Sequence, residues 1–353
     1  MTPSRPLITT IIPTYRRPQL LRRAIRSVQA QTYPYFQVFV YDNASGDDTA
    51  EVVAEYVASD PRVKYFCRPE NVGPFKNFAE ALDHVETPFF SFLSDDDILL
   101  PDMYQVALAG IEEFPEAMIS AAPTILVDEQ GRVLRVPISN WRAGLYPPPE
   151  GMLAMLQDGD HPSWMGMLFR REVLEEVGKL DEEVGNPCDL DFELRIAAHF
   201  PIVASLEPVA IIAVHSASQD VSGTFEEKYA GWPRMIRKIS MDEAIPYHAR
   251  RQAAEVLNEY LKTRLSQLVR GFIVRGEWEN FDKAIDMLQN HYHLTVRSSL
   301  LSVLARICRS IPSIRILLKG LRALRRFVLS ILPDPSGKQL QSKYGAYVGY
   351  LKM

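Results

Sequence analysis

The chain has 353 residues, 47% of them hydrophobic and 24% charged, and a formal net charge of −5. That length is too great for one small core and suits a large α/β domain with an appendage, while the mild acidity argues against a general nucleic-acid binder. Cys67, Cys188 and Cys308 are too few and too widely spaced for a disulfide framework or a zinc site, which fits a reducing compartment, and no run of about 18 uncharged apolar residues marks a spanning helix.

The start, Met1 to Pro6, carries no signal-peptide core, so a cytoplasmic location is expected. Short apolar runs then alternate with amphipathic stretches, the pattern of β-α-β units on a parallel sheet. Strands are expected at Leu7–Pro13, Phe36–Tyr41, Val63–Cys67 and Phe89–Leu93. The helices between them are expected over Gln19–Gln31, Thr49–Ala58 and Phe75–His84. Met118–Val127 reads as one further strand, with a turn at Asp128–Gly131. Pro147-Pro148-Pro149 breaks the pattern and leads into a loop-rich region. Beyond Thr224 the chain turns helical, most plainly over Ala249–Val274. The expected divisions are a catalytic domain over 1–224, a helical extension over 225–296 and a basic tail over 297–353.

Three places bear chemistry. Ser94-Asp95-Asp96-Asp97 follows the apolar run Phe89–Leu93, so three carboxylates gather at a strand's carboxyl end. They repel one another unless a cation sits there, and oxygen ligands suit Mg²⁺ or Mn²⁺. A solvated turn that caps the next helix is the plainer reading, but ligands of open α/β sheets bind at this edge. Asp42, at the end of the second strand, lies on the same edge. Ser45, Asp47 and Asp48 read as an N-cap and first-turn acids of the following helix.

The third place is Cys188-Asp189-Leu190-Asp191-Phe192-Glu193-Leu194-Arg195. A carboxylate at this helix start can act as a general base towards a hydroxyl, or simply cap the helix. His215, after the strand-like Val209–Val214, is a metal ligand or a structural histidine. Lys76 and the amides opening the Phe75 helix are either phosphate donors or surface groups. No G-x-x-x-x-G-K-[ST] loop, G-x-G-x-x-G turn or G-x-S-x-G elbow is present.

Five segments, in order, resemble the family 2 glycosyltransferases. They are Thr10–Arg17, Asp42-Asn43-Ala44-Ser45, Asn71-Val72-Gly73 with Asn77, Ser94–Asp97 followed by Pro101-Asp102, and Gly178–Glu182 followed by Asp189–Arg195. The resemblance covers residues 7 to about 220 and implies the GT-A fold, a mostly parallel central sheet flanked by helices, here with a C-terminal helical extension. It places Pro13, Tyr15, Asp42, Asn71, Lys76 and Asp95 at the donor, with Asp42 on the nucleotide base and Asp95 on the ribose. Asp96 and Asp97 would hold the metal, Mn²⁺ or Mg²⁺, with His215 as a further ligand. Asp189 would be the catalytic base and Asp191 would lie on the acceptor side; Trp164, in Ser163-Trp164-Met165-Gly166, either stacks on an acceptor sugar ring or is a core aromatic. Two positions depart from the pattern: Ser94 stands where many members have the first aspartate, and Cys188 replaces the acid that often precedes the base.

The implied activity is metal-dependent, inverting transfer of a sugar from a UDP-, GDP- or dTDP-sugar to a saccharide or lipid-linked acceptor, in surface polysaccharide synthesis. A nucleotidyltransferase and a non-catalytic nucleotide-sugar-binding module are the competing readings. The first of these normally needs a glycine- and Lys/Arg-rich loop after the opening strand, absent at Pro13–Pro18.

From Arg297 to Leu332 there are eight Lys/Arg and no Asp or Glu. Arg315, Lys319, Arg322 and Arg326 share one helical face and Ile314, Leu317, Leu318, Leu321, Leu324, Val328 and Ile331 the other. Such a helix suits an anionic membrane surface, here the inner face of the cell membrane, or packs on the catalytic domain.

Overall fold

The computed structural model describes residues 7–138, 141–157, 161–215, 224–292, 295–311, 313–320 and 335–352. Strands β1 (Ile8–Thr14), β2 (Phe36–Asp42), β3 (Val63–Cys67) and β4 (Phe89–Phe92) alternate with helices α1 (Pro18–Gln29), α2 (Thr49–Ser59) and α3 (Pro74–Ala81). Pro18 fits the first helical position, where its missing N–H costs nothing, and Leu21, Ala24, Ile25 and Val28 form the buried stripe of α1. The chain continues through β5 (Ile98–Leu99), α4 (Met103–Glu113), β6 (Ile119–Ala121), β7 (Thr124–Asp128), β8 (Val133–Arg135) and β9 (Gly144–Tyr146). Next come α5 (Glu150–Leu156), β10 (Met167–Arg170), α6 (Val173–Glu176), α7 (Cys188–His199), β11 (Ile202–Ala204) and β12 (Ala210–Val214).

Eight strands form the main sheet in the order β3-β2-β1-β4-β10-β6-β11-β9. β1 runs parallel to both β2 and β4, while β10 is antiparallel to β4 and β6. A strand buried on both faces reads as a near-continuous apolar run, and β1 (ITTIIPT) does so. Two of its three buried threonines are satisfied within the sheet: Thr9 Oγ1 bonds Thr87 Oγ1 at 2.6 Å and Thr10 Oγ1 bonds Ser91 Oγ at 2.7 Å. This is the α/β architecture expected, a mostly parallel central sheet flanked by helices, with a helical C-terminal region.

The single strand expected at Met118–Val127 is two strands in two sheets. Pro123 has no N–H to continue the ladder, so the chain leaves the main sheet there. Ala122 N instead donates to Gly166 O at 2.8 Å, and a Cβ on Gly166 would lie 2.3 Å from Ala122 O, so this approach requires glycine. The second sheet has the order β5-β12-β7-β8. Its apolar face (Ile98, Leu100, Ile125, Val127, Val133, Ile211) is covered by Tyr344, Leu340, Tyr347, Val348 and Leu351.

Helical elements follow: α8 (Phe225–Tyr229), α9 (Trp232–Met241), α10 (Tyr247–Arg275), α11 (Trp278–Tyr292), α12 (Thr295–Ser310), α13 (313–320) and α14 (Pro335–Tyr344), the last followed by a 3₁₀ segment, Gly345–Lys352. Two compact units result: Met1–Ala253 with Ser336–Met353, and Ala254–Pro335. The end of the chain therefore belongs to the sheet-bearing unit, because the apolar face of the second sheet needs a cover. Among the described residues every element of the second unit is a helix. In it Arg309 pairs with Asp282 at 2.9 Å and lies 4.9 Å over the Trp278 ring, and the Arg315 guanidinium lies 5.7 Å over the same ring. Val303, Leu304, Ile307, Ile311, Ile316 and Leu317 are exposed. Arg322, Arg326, Leu321, Leu324, Val328 and Ile331 lie outside the described residues.

Tyr344→Ala removes an aromatic side chain left only 7% exposed. The expected loss is about 3 kcal/mol, measured as a lower midpoint of urea or thermal unfolding. An unchanged midpoint would show that the C-terminal cover contributes nothing.

Candidate active site

Because β2, β1 and β4 are neighbours and parallel, their carboxyl ends lie side by side, and the loops that follow them meet. Thr14 is level with Asp42 across the β1–β2 ladder. Its hydroxyl donates to Asp95 Oδ2 at 2.8 Å, tying the β1 loop to the acidic cluster. On the other side Arg16 N donates to Ser45 Oγ at 2.8 Å, and Ser45 Oγ to Asp42 Oδ1 at 2.5 Å. Arg16 (φ 55°) and Ala44 (φ 60°) are non-glycine residues in the left-handed region, a conformation that persists only where neighbours enforce it and that often marks a working site.

The three aspartates stand in different surroundings. Arg17 Nη1 reaches Asp95 Oδ1 at 3.2 Å and Asp96 Oδ2 at 2.9 Å. His215 Nε2 approaches the same Asp96 Oδ2 at 3.1 Å, and Arg23 Nη2 donates to the Asp96 carbonyl at 2.9 Å. Asp97 is 2% exposed and accepts from Ala213 N at 2.9 Å, which anchors β12 beside the cluster. Burial, opposed by Arg17 and reinforced by Asp96, pushes Asp95 up to about 6. Burial and then the Asp96 charge push Asp97 well above the usual carboxylate range. So much buried negative charge at one point favours a cation.

Among the described residues no three of His, Cys, Asp or Glu form a ready-made metal cluster. The donor set still fits a hard or borderline divalent ion: Asp96 and His215 are already in contact, and phosphate oxygens and water are the usual complement of Mg²⁺ or Mn²⁺. Asp97 is committed to the β12 backbone and serves as its anchor.

Asp42 is buried with both oxygens engaged: Ser45 N donates to Oδ1 at 2.9 Å and Tyr65 OH to Oδ2 at 2.6 Å. It fixes the loop that forms one wall of the site. Ser45 is thus part of that loop and not a helix cap. Asp47 accepts from Thr49 N at 3.0 Å, the turn-forming acid ahead of α2, while Asp48 occupies the N-cap position without a side-chain cap bond. Asn71 Oδ1 accepts from Asn43 Nδ2 at 2.9 Å, joining the β3 and β2 loops. Pro13 closes β1, and Tyr15 is 38% exposed with the Arg16 guanidinium 5.1 Å over its ring. Lys76 is exposed and faces Glu80 at 3.7 Å, so the structure ties it to a surface pair and not to the cluster.

On the acceptor side two expectations are corrected. Trp164 is a core aromatic, stacked 4.5 Å from Phe92 and packed 4.7 Å from Phe78, so its faces are occupied and closed to a sugar. Asp191 is fully buried between Arg195 (2.9 Å) and Lys238 of α9 (2.8 Å), closed to an acceptor hydroxyl. Asp189, one turn-position earlier, is half-buried in the first turn of α7, with Oδ1 accepting from Leu190 N at 2.7 Å. The sequence reading assigned no role to Arg17, Thr14, Tyr65 or Arg23. Pro18 at a helix start fixes the place of Arg17 just before α1, and that was the one available signal; the others depend on register between strands.

The model of the family described as Glycosyl transferase family 2 matches residues 9–178, which carry the Asp42 loop and the aspartate cluster but end before Asp189. The GalNAc(5)-diNAcBac-PP-undecaprenol beta-1,3-glucosyltransferase of Campylobacter jejuni is 40% identical over 96 residues, 27% of this chain and 31% of that protein. An uncharacterized glycosyltransferase of Rickettsia felis is 26% identical over 253 residues, 68% of this chain and 40% of that protein. The matches therefore span less than half the length of either relative. Among solved structures, S. aureus TarS 1-349 in complex with UDP-GlcNAc shares the fold with a TM-score of 0.64 at 20% identity, over 80% of each chain. The mannosyltransferase PcManGT from Pyrobaculum calidifontis, in complex with GDP-Man and Mn²⁺, does so with a TM-score of 0.55 at 16% identity, over 99% of this chain and 86% of that one. The fold is like that of these GT-A glycosyltransferase structures, and the sequence matches point to the family 2 glycosyltransferases.

Asp191→Ala strips the buried counter-charge from Arg195 and leaves Lys238 with Asp181 alone. The expected cost is about 3 kcal/mol, a fall of several degrees in the thermal midpoint; an unchanged midpoint would return Asp191 to the list of candidate acceptor residues.

Proposed function

We propose that this chain, as a member of glycosyl transferase family 2, moves a sugar from a nucleoside-diphosphate donor to a hydroxyl of a saccharide or lipid-linked acceptor, inverting the anomeric carbon. The observation that carries the reading is the pair of side-chain series, Asp42–Ser45–Arg16 and Thr14–Asp95–Arg17–Asp96–His215, along the carboxyl edge of β2, β1 and β4. Open α/β sheets bind ligands at this edge, and the two series offer a nucleoside wall, cations for phosphate and a carboxylate–imidazole pair.

The residues divide the work. Asp42 and the Ser45 loop hold the nucleoside end, with Asn71 bracing the neighbouring loop and Tyr15 and Pro13 at its border. Asp95 receives the ribose hydroxyls in place of its present neutral and cationic donors. Asp96 and His215 would hold Mn²⁺ or Mg²⁺, which would supply positive charge to offset the departing diphosphate. Arg17 bridges Asp95 and Asp96 and offsets their charge. Asp189 lies in the first turn of α7, where the helix dipole favours its carboxylate. It takes the proton of the acceptor hydroxyl, whose oxygen attacks C1 from the face opposite the diphosphate and inverts it.

Asp189→Asn keeps shape and burial while removing the proton acceptor. With a UDP-, GDP- or dTDP-sugar and Mn²⁺, transfer is expected to fall by roughly 10²–10⁴-fold with an unchanged melting midpoint. Full turnover by the variant would remove Asp189 from the role. No transfer or donor hydrolysis by the wild type with any of these donors would reject the enzyme reading.

The lipid-linked acceptor named for the Campylobacter relative, and the exposed apolar side chains of α12 and α13 beside Arg306 and Lys319, support a peripheral place on an anionic membrane, on the cytoplasmic face and in surface polysaccharide synthesis. Among the described residues no helix is long and apolar enough to cross a membrane. Flotation with phosphatidylglycerol vesicles is expected for the full chain and lost for Ile316→Asp/Leu317→Asp; equal flotation of both would refute attachment through this surface.

A further inference from the structure

One turn beyond Asp189 on α7, Glu193 has no solvent exposure at all. Its Oε2 stands 2.5 Å from His161 Nε2. The two side chains pair with each other, and no other hydrogen-bond partner of the Glu193 carboxylate is found among the described residues. A buried carboxylate is costly unless a proton or a counter-charge neutralises it. The pair must therefore keep a proton. Burial pushes Glu193 up to about 7 against the pull of His161, and Asp189 adds to the rise. Burial works to lower His161, but the Glu193 carboxylate, aided by Asp189, overrides it and holds the imidazole above its ordinary value.

The spacing of four puts Asp189 and Glu193 on one side of α7. The charged groups that act on His161 are these two carboxylates and, from β8, the Arg135 guanidinium, which opposes them. Asp191, on the other side of α7, is compensated by Arg195 and Lys238. Asp158 and Asp160 lie outside the described residues.

We propose that His161 and Glu193, the carboxylate wholly buried and the imidazole 26% exposed, form a proton-holding pair behind Asp189 that sets the proton affinity of the base. Both are positioning residues, and the inference rests on the reading of Asp189 as base. With one proton the pair is neutral, and Asp189 meets no net charge from it. When that proton leaves to solvent, one negative charge remains, which disfavours the Asp189 carboxylate and makes it a stronger base. Transfer then rises with pH in two steps, first as Asp189 ionises and again as the pair loses its proton.

The direct readout is the titration of the His161 ring by ¹³C NMR in the full chain, its signal assigned by its loss in His161→Gln. The wild-type midpoint is expected above the ordinary histidine value of about 6.5. Glu193→Gln should lower it by about one pH unit or more, and Asp189→Asn by a smaller, measurable step. An unmoved midpoint in Glu193→Gln overturns the pair, and an unmoved midpoint in Asp189→Asn overturns its coupling to the base. If Glu193→Gln does not fold, the Asp189→Asn titration decides alone, since that side chain is half-exposed. In transfer assays Glu193→Gln should lose the upper step of the pH profile, and a profile that overlays the wild type overturns the proposal. Full turnover by Asp189→Asn defeats instead the reading of the base, while the ring midpoints still report on the pair.

Discussion

The arrangement of this molecule turns on negative charge buried at the end of β4. Asp95, Asp96 and Asp97 are 5%, 7% and 2% exposed, adjacent in the chain and mutually repelling. Desolvation and Coulomb repulsion both favour the protonated acids, and burial is the larger of the two for Asp95 and Asp97. What opposes them is local and specific: Arg17 between Asp95 and Asp96, Thr14 on Asp95, Ala213 N on Asp97 and His215 on Asp96. Such a cluster is a poor way to stabilise a fold, since an apolar core of equal volume would do at least as well. It is a good way to keep a strong, preformed field at one edge of the sheet.

The second sheet makes sense in this light. β5 begins one residue after Asp97 and pairs with β12, whose end carries Ala213 and then His215. A two-residue strand and an imidazole 119 residues from its carboxylate partner are brought together by one ladder. That ladder has an apolar face of its own, and the C-terminal segment returns to cover it with Tyr344, Tyr347, Val348 and Leu351. Packing far along the chain thus holds the geometry of the acidic cluster, and the extremity that reads as a separate basic tail is divided between two units.

The strands and helices of the first hundred residues were legible because each has its own period and its own punctuation. Val63–Cys67 and the start of α7 fall where the pattern puts them, and Pro18 opens α1 one residue before the expected Gln19. Chemistry was legible where it sits at a strand end, as with Asp42 and the Asp95–Asp97 run. Partners were not. Tyr65 on Asp42 and Thr14 on Asp95 follow from strand register and neighbour order, which one sequence does not display. The Met118–Val127 reading failed because apolar continuity outweighed Pro123, although proline's missing donor should have decided it. Trp164 and Asp191 were placed at the acceptor for their residue type, and burial puts both in structural roles.

Helix α7 shows how one short segment separates such roles. Asp189 and Asp191 fall in its first turn, where the unpaired amides and the dipole favour carboxylates. That help fades within a turn, so Glu193, deeper in the helix and wholly buried, receives little of it. The three acids then differ by what lies opposite: two cations for Asp191, one imidazole for Glu193, and partial solvent exposure for Asp189. Of the three, only Asp189 keeps partial solvent exposure, the condition for exchanging a proton with water. The acid at the helix start therefore stays in reach of solvent, while Asp191 is held to α7 and α9 by Arg195 and Lys238 and Glu193 lies buried against His161.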